Sequence, residues 1–357
     1  MNILILVSSL NYGGAEKQAV LDANMLAASG EHQIFVGTFQ EGPLREQLSS
    51  QVHLKLFQKK DYLSTAFQIA RFNKRENIQL VHNHLYAPMI IASLASVIHK
   101  VPVLWHFHGH HFEVKKYPLN LLSRLPTVKR IIFVCAALGK YFDKNFSFPG
   151  SKSTVVHNSS QCRKTRSDDT AEGRISIGYV GRLVTLKRIH LLINLAEHLL
   201  SRQIQHFEIV IAGDGPEREN LEALCRKKGL EKHVKFLGFR ADIENVFNSF
   251  DIFMLPSEEE AFSLSLIDAG NCGLPSIAFD VGGNKEIVQD GQTGFIIHTE
   301  DALKEKAALL CTDADLRRKM GGKAEDYTKK FSEQQHLRDL LKIYRSLAPS
   351  QELHYAQ

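Results

Sequence analysis

Ile3-Leu4-Ile5-Leu6-Val7, then Ala15 through Ala28, then Ile34-Phe35-Val36-Gly37-Thr38, set the architecture within the first 38 residues. The outer two runs are short, apolar and rich in branched side chains, which suits buried strands; the middle one carries apolar residues at 19, 20, 23, 26 and 27, the stepping of a helix with one buried stripe. Strand, helix, strand with no hairpin turn between them is the unit of a parallel sheet. The same alternation runs on through Leu80–His82, Val103–Phe107, Ile131–Cys135 and Thr154–Val156. A polar stretch, 161–174, interrupts it and reads as a linker. The rhythm resumes at Ile175–Val180 and continues through Phe207–Ala212, Val234–Leu237, Ile252–Leu255, Ser276–Phe279 and Phe295–Ile297. The expected fold class is therefore α/β, with two Rossmann-like, doubly wound parallel-sheet domains, 1–160 and 175–330. Ligands of such sheets sit beyond the C-terminal strand ends, so the interdomain cleft is the expected site. Helix-period segments near Ala314–Tyr327 and Glu333–Leu347 close the chain before a frayed tail, 349–357.

Composition narrows the class. The 357 residues are 44% apolar and 23% charged, as in a soluble globular chain with room for two cores. Five cysteines, none in a CxxC pair, argue against a disulfide framework and for a reducing cytoplasm. The N-terminal Met1-Asn2 lacks a basic leader, and the longest mostly apolar run, Ala87 to Ile98, is too short to span a bilayer. Net charge is +5, but residues 1–160 hold 17 Lys and Arg against 9 Asp and Glu, whereas 161–357 hold 27 against 30. Lys115 to Arg130 interleaves bases with Leu and Tyr, which suits either an anionic membrane surface or a core helix with a solvated edge. No motif supports nucleic-acid binding.

The chemistry concentrates in loops after strands. Pro256-Ser-Glu-Glu-Glu260-Ala-Phe-Ser263-Leu264-Ser-Leu-Ile-Asp268 places two carboxylates eight positions apart around a helix start, whose free amides can receive an anion. Over a fully helical segment they would stand roughly 12 Å apart, a span suited to opposite ends of a sugar nucleotide. Gly181-Arg182 and Lys187 add two cations that can neutralise a departing diphosphate. Gly13-Gly14-Ala15-Glu16 is a glycine turn opening a helix, although the full dinucleotide fingerprint is missing. Gly213-Asp-Gly215-Pro216 and Gly238-Phe239 end strands where a nucleobase could rest, and Gly282-Gly283 precedes Glu286, which either holds a sugar hydroxyl or caps a helix.

His82-Asn-His84 and His106-Phe-His108-Gly-His110-His111 put alternate histidines on one strand face, so a metal must be weighed. No Asp, Glu or Cys falls beside them at ligand spacing, and histidines lining a cleft explain the pattern without an ion. No metal or other cofactor is expected. Asp313-Ala-Asp315 matches a metal-holding DxD pattern but lies between late helices and reads as chance.

Together, Gly13-Gly14, His82-Asn-His84, His108-Gly109, Gly181-Arg182 with Lys187, the segment 256–275 and Gly282-Gly283 with Glu286 resemble the retaining glycosyltransferases of family four, of GT-B fold, over nearly the whole chain. The resemblance implies that Arg182 and Lys187 bind the donor diphosphate and Glu260 lies by the donor sugar. It also implies that Asp268 holds the ribose, with amides at Ser263 and Leu264 on the phosphates, Phe239 and Gly14 at the donor, and His108 at the reaction centre. Gly13, His84 and Glu286 become acceptor or sugar contacts. Asp268 stands where the family usually has Glu, Ala261 where glycine is common, and Asn158-Ser159 where Asn-Gly is usual. A final helix over 331–348 is expected to pack back on the first domain. The implied activity is transfer of a hexose or N-acetylhexosamine from a nucleotide sugar to a lipid-linked or polysaccharide acceptor, as in lipopolysaccharide or capsule synthesis, in the cytoplasm or on the inner membrane face. A nucleotide-sugar-binding partner protein with little activity and a nucleotide-sugar epimerase are the competing readings.

Overall fold

The computed structural model describes residues 1–109, 116–165 and 173–347. These form two compact units, Met1–Asn158 with Glu333 onward, and Ser159–Ser332.

In the first unit, β1 (Asn2–Val7), α1 (Gly14–Ala28), β2 (Gln33–Thr38), β3 (Val52–Leu56), α2 (Tyr62–Arg75), β4 (Leu80–His84) and α3 (Tyr86–Ile98) are followed by β5 (Val103–Phe107), α4 (Lys116–Leu122), β6 (Val128–Phe133), α5 (Ala136–Asn145) and β7 (Ser153–Val155). The seven strands are ordered β3-β2-β1-β4-β5-β6-β7, each pairing parallel to its neighbours. Covered on both faces, the central strands read as continuous apolar runs, and Ile3 to Val7 are fully buried. β4 breaks that rule. Its Leu80-Val81-His82-Asn83-His84 is also wholly buried, yet three of the five residues are polar.

In the second unit the order along the chain is β8 (Ile175–Val180), α6 (His190–Ser201), β9 (Phe207–Ala212), α7 (Arg218–Lys227), β10 (Val234–Gly238), α8 (Ile243–Asn248), β11 (Ile252–Leu255), α9 (Leu264–Asn271), β12 (Ser276–Phe279), α10 (Asn284–Ile287), β13 (Gly294–Ile297), α11 (Glu300–Thr312) and α12 (Ala314–Thr328). The sheet runs β10-β9-β8-β11-β12-β13, all parallel, so strand order reverses between β8 and β11.

α13 (Glu333–Arg345) returns to the first unit, where Leu340 and Tyr344 join Ala19, Ala23 and Leu26 of α1 over Ile3, Ile5 and Leu104. Polar bonds fix it as well: His336 Nδ1 meets the His157 carbonyl at 2.6 Å, and His82 Nδ1 meets the Tyr344 hydroxyl at 2.7 Å.

Two expectations change. The edge strand β3 has no counterpart in the apolar pattern, because His53 and Lys55 alternate with its apolar residues. The segment from 161 to 165 is not a free linker but is laid along the second unit. Thr165 N donates to Asn248 Oδ1 at 2.8 Å, Asn248 Nδ2 donates to the Arg163 carbonyl at 2.9 Å, and Lys164 pairs with Glu325 at 3.4 Å. The rest of the supposed linker, up to residue 172, lies outside the described residues.

Candidate functional site

The reversal of strand order in the second unit opens a crevice at the C-terminal ends of β8 and β11, the position where doubly wound sheets take ligands. The loop after β8 carries Arg182 and ends in a single 3-10 turn, Thr185–Lys187. Tyr179 holds this loop by donating its hydroxyl to the Arg182 carbonyl at 3.1 Å. Burial, then the Glu260 carboxylate, drive the Tyr179 phenol far above its ordinary pKa, which keeps that donor proton in place. Lys187 Nζ lies 2.5 Å from Glu260 Oε1, and Ser257 Oγ donates to the same oxygen at 2.8 Å. Their side chains are 20% and 12% exposed, low enough to be held and high enough to be reached.

Ser263 is the cap residue before α9; its backbone is extended and its side chain makes no cap hydrogen bond. The Ser263 hydroxyl lies 3.2 Å from that of Ser265, so the amides from Leu264 onward keep the positive potential of a helix start. Asp268 is farther along α9, 5% exposed, and accepts a short hydrogen bond from Ser160 Oγ. Ser160 in turn accepts from the Cys162 amide at 3.2 Å.

Backbone bonds knit the surrounding loops into one rim. Glu258 N donates to the Leu186 carbonyl at 2.8 Å, Gly283 N to Ala261 at 2.7 Å, Leu183 N to Asp214 at 2.9 Å, and Gly213 N to Gly238 at 2.8 Å. Gly282 shows why glycine is required there. Its φ is +53°, and a Cβ would stand 1.9 Å from the Glu260 carbonyl oxygen. Phe239, next to Gly238, is 55% exposed at this rim. Glu286 occupies the first turn of α10, where Gly283 is the cap residue, and its carbonyl accepts from Tyr327 at 3.2 Å. The Asp313-Ala-Asp315 pattern has a structural use: Asp313 caps α12 through the Leu316 amide, and Asp315 pairs with Arg318.

The first unit holds the other predicted residues. Gly13 is the cap residue of α1, and open space surrounds a Cβ built at Gly14. His84 Nδ1 and His108 Nε2 share a hydrogen bond of 2.8 Å. His84 is fully buried, so it meets His108 rather than the open surface that the expected sugar contact requires. His110 and His111 lie outside the described residues.

Around this pair the structure adds partners that spacing missed. Asp22 on α1 lies 3.9 Å from His84 Nε2, accepts from Gln18 Nε2 at 2.7 Å and pairs with His336 Nε2 at 2.8 Å. Burial opposes ionisation of Asp22, yet the His336 charge and hydrogen bond outweigh it and hold the carboxyl below its ordinary pKa. Burial likewise opposes protonation of His336, and Asp22 overcomes it, raising that imidazole. Burial lowers His82 to about 4 and keeps His84 and His106 well below 6.5, so these rings are neutral at pH 7. A signal for Asp22 was present. It falls within the buried stripe 19, 20, 23, 26, where an acid is out of place. The residue after His84, Leu85, has φ 70° and ψ 162°, a conformation essentially reserved for glycine, and so carries backbone strain beside the cluster.

Of the basic segment, Tyr117 and Leu121 on α4 are 84% and 64% exposed while Leu119 is buried; Lys115 lies outside the described residues.

Residues 163–327 match the family described as Glycosyl transferases group 1, and residues 12–159 match Glycosyltransferase Family 4. An uncharacterized glycosyltransferase of Methanocaldococcus jannaschii is 25% identical over 89% of this chain and 90% of its own length. The N-acetyl-alpha-D-glucosaminyl L-malate synthase of Bacillus anthracis is 25% identical over 74% of this chain and 73% of its own. The crystal structure of Anabaena HepE with UDP superposes with a TM-score of 0.85 at 22% identity, covering 97% of this chain and 100% of that one. Two all-parallel α/β units on this plan are the fold of the GT-B transferases. The chain belongs to the group 1 glycosyltransferases, with a first half of the family four type.

Proposed function

We propose that this enzyme moves a hexose or N-acetylhexosamine, with retention and without a metal in the transfer step, from a UDP- or GDP-sugar to a hydroxyl of a lipid-linked or polysaccharide acceptor. The observation that carries the reading is the Lys187–Glu260 pair, held by Ser257 beside Arg182 and the uncapped start of α9. A donor diphosphate would draw Lys187 and Arg182 onto its oxygens and leave Glu260 to orient the sugar, while the α9 amides meet the phosphate. In the transfer the bond from the anomeric carbon to the phosphate oxygen breaks. The acceptor oxygen bonds that carbon on the same face, and its proton passes to the departing phosphate. His108 would support the sugar centre, and Asp268 the ribose. That the Anabaena relative is also seen with UDP-glucose makes a uridine donor the first to try.

Purified protein incubated with UDP-glucose, UDP-N-acetylglucosamine and GDP-mannose and extracted lipid acceptors should yield a product of unchanged anomeric configuration by NMR. An inverted product would overturn the mechanism. Donor binding by calorimetry with no transfer or hydrolysis would favour a binding partner, and a changed sugar from donor alone would favour an epimerase.

The setting would be the cytoplasm or the inner face of the membrane. No helix among the described residues is long and apolar enough to cross a bilayer. The exposed Tyr117 and Leu121 beside Arg124, Lys129 and Arg130 suit peripheral docking on anionic lipid. Replacing Lys115, Lys116, Lys129 and Arg130 by Ser should weaken binding to anionic liposomes several-fold; unchanged binding would remove the docking idea.

A further inference from the structure

The buried histidines of the first unit pose a problem of unmet hydrogen bonding. Among the described residues, His82 Nε2, His84 Nε2, both ring nitrogens of His106 and Asp22 Oδ2 are buried and have no partner. Such groups cost free energy in an interior unless something satisfies them. Their arrangement is ordered. His82 and His84 lie on β4, and His106 lies opposite His84 on β5, on the face that α1 and α13 cover. One ligand atom from each of His82, His84 and His106 falls within 4.8 Å of the others. Asp22 Oδ2 is 3.9 Å from His84 Nε2.

The far ends of three of these side chains are already engaged. His82 Nδ1 is bonded to Tyr344, His84 Nδ1 to His108, and Asp22 Oδ1 to His336 and Gln18. Metal-binding imidazoles show this pattern, one nitrogen free for the ion and the other fixed by a second residue.

We propose that His82, His84, His106 and Asp22 form a buried site for one Zn²⁺, which ties α1 to β4 and β5 within the first unit. Three imidazoles and one carboxylate suit that ion, and Asp22 is the acid that sequence spacing did not supply. Ligand bonds of about 2.0–2.1 Å require the four atoms to close to about 3.4 Å apart, a small rotation of the rings. The ion takes no part in sugar transfer. It fixes His84, and through the shared hydrogen bond it orients His108. The inference stands whether or not the transfer reading does.

Chelator-treated full-length protein is titrated with Zn²⁺ against a chromophoric chelator and, separately, with Co²⁺ followed by visible absorption. One equivalent of Zn²⁺ should bind at submicromolar Kd, and Co²⁺ should give the intense d–d bands of a four-coordinate site. Zinc a hundredfold above Kd should raise the thermal midpoint by about 5 °C or more. His106→Leu removes no hydrogen bond seen among the described residues and should fold, yet lose the Co²⁺ bands; His53→Leu, at the sheet edge, should keep them. Absence of stoichiometric binding by the wild type, or bands that survive in His106→Leu, would overturn the site and leave water as the partner of these nitrogens. Asp22→Ala is expected to weaken the fold, so the decision rests on the wild type and His106→Leu.

Discussion

Lys187 with Glu260 and His336 with Asp22 are both cation–carboxylate pairs, but they lie at opposite ends of the scale of exposure. The first pair is 20% and 12% exposed at 2.5 Å; the second is 1% and 0% exposed at 2.8 Å. A pair within reach of water has shed only part of its hydration, so an incoming diphosphate can take the cation without stranding the acid. A fully buried pair has lost its hydration, and neither member can be given up without leaving an uncompensated charge. The second unit therefore keeps charges available for exchange, whereas the first uses them to hold α1 and α13 together.

The largest effect should follow from removing one buried partner. Asp22→Leu leaves His336 without its acid and should cost about 3–5 kcal/mol of folding free energy, read from urea unfolding. The double variant Asp22→Leu, His336→Leu should recover part of it. A loss below about 1 kcal/mol in the single variant would break the contrast, because the buried pair would then behave like an exposed one. Lys187→Ala should do the reverse. Transfer should fall about 10²–10³-fold in kcat, the usual cost of one donor to a developing anion, while stability changes by no more than about 1 kcal/mol.

Acid separates the two regions further. Burial holds His82, His84, His106 and His108 below the ordinary histidine value of 6.5, so the folded first unit binds fewer protons than the unfolded chain. Their contribution is present above 6.5 and is lost as pH falls toward the folded values, about 4 for His82. His336, raised by Asp22 against burial, works the opposite way by adding stability below 6.5, but it is one group against four. Asp22, lowered from 3.8, adds stability that is fully present above 3.8 and is lost only at still lower pH, outside this range. In metal-free protein each buried imidazole removes up to about 1.4 kcal/mol per pH unit, so unfolding free energy should drop by at least that much between pH 6.5 and 5. A flat profile over this range would mean that the cluster is hydrated.

How far the sequence reveals each region follows from where its partners lie. Arg182, Lys187, Glu260 and Ser263 stand in loops directly after apolar strands, so local pattern finds them and the parallel sheet brings their loops to one edge. Val103–Phe107 and Ile175–Val180 were legible to the residue, being short, mostly apolar runs bounded by polar loops, even though His106 and Ser176 fall within them. Asp22 and His336 are 314 positions apart and meet only because α13 returns to α1, which no local spacing encodes. The tie of 161–165 to the second unit was hidden for a related reason. Its polar residues look like linker, and only the fold shows that Asn248 and Glu325 bind it.

Asp268 falls between the two kinds of carboxylate, and the smallest expected effect tests to which it belongs. It is as buried as a structural acid, at 5% exposed, yet it sits on α9, the helix that follows the Glu260 loop. Ser160 already donates to it, so a ribose hydroxyl would have to share or displace that bond. Being one methylene shorter than Glu, it also has less reach. Ser160→Ala removes one hydrogen bond from the carboxylate, worth about 0.5–1.5 kcal/mol, and should lower the donor KM two- to fivefold with kcat unchanged. Asp268→Ala should raise that KM. If Ser160→Ala instead lowers the unfolding midpoint and leaves KM where it was, Asp268 serves the fold by anchoring the segment after Asn158, and the ribose must be held by another group on the rim.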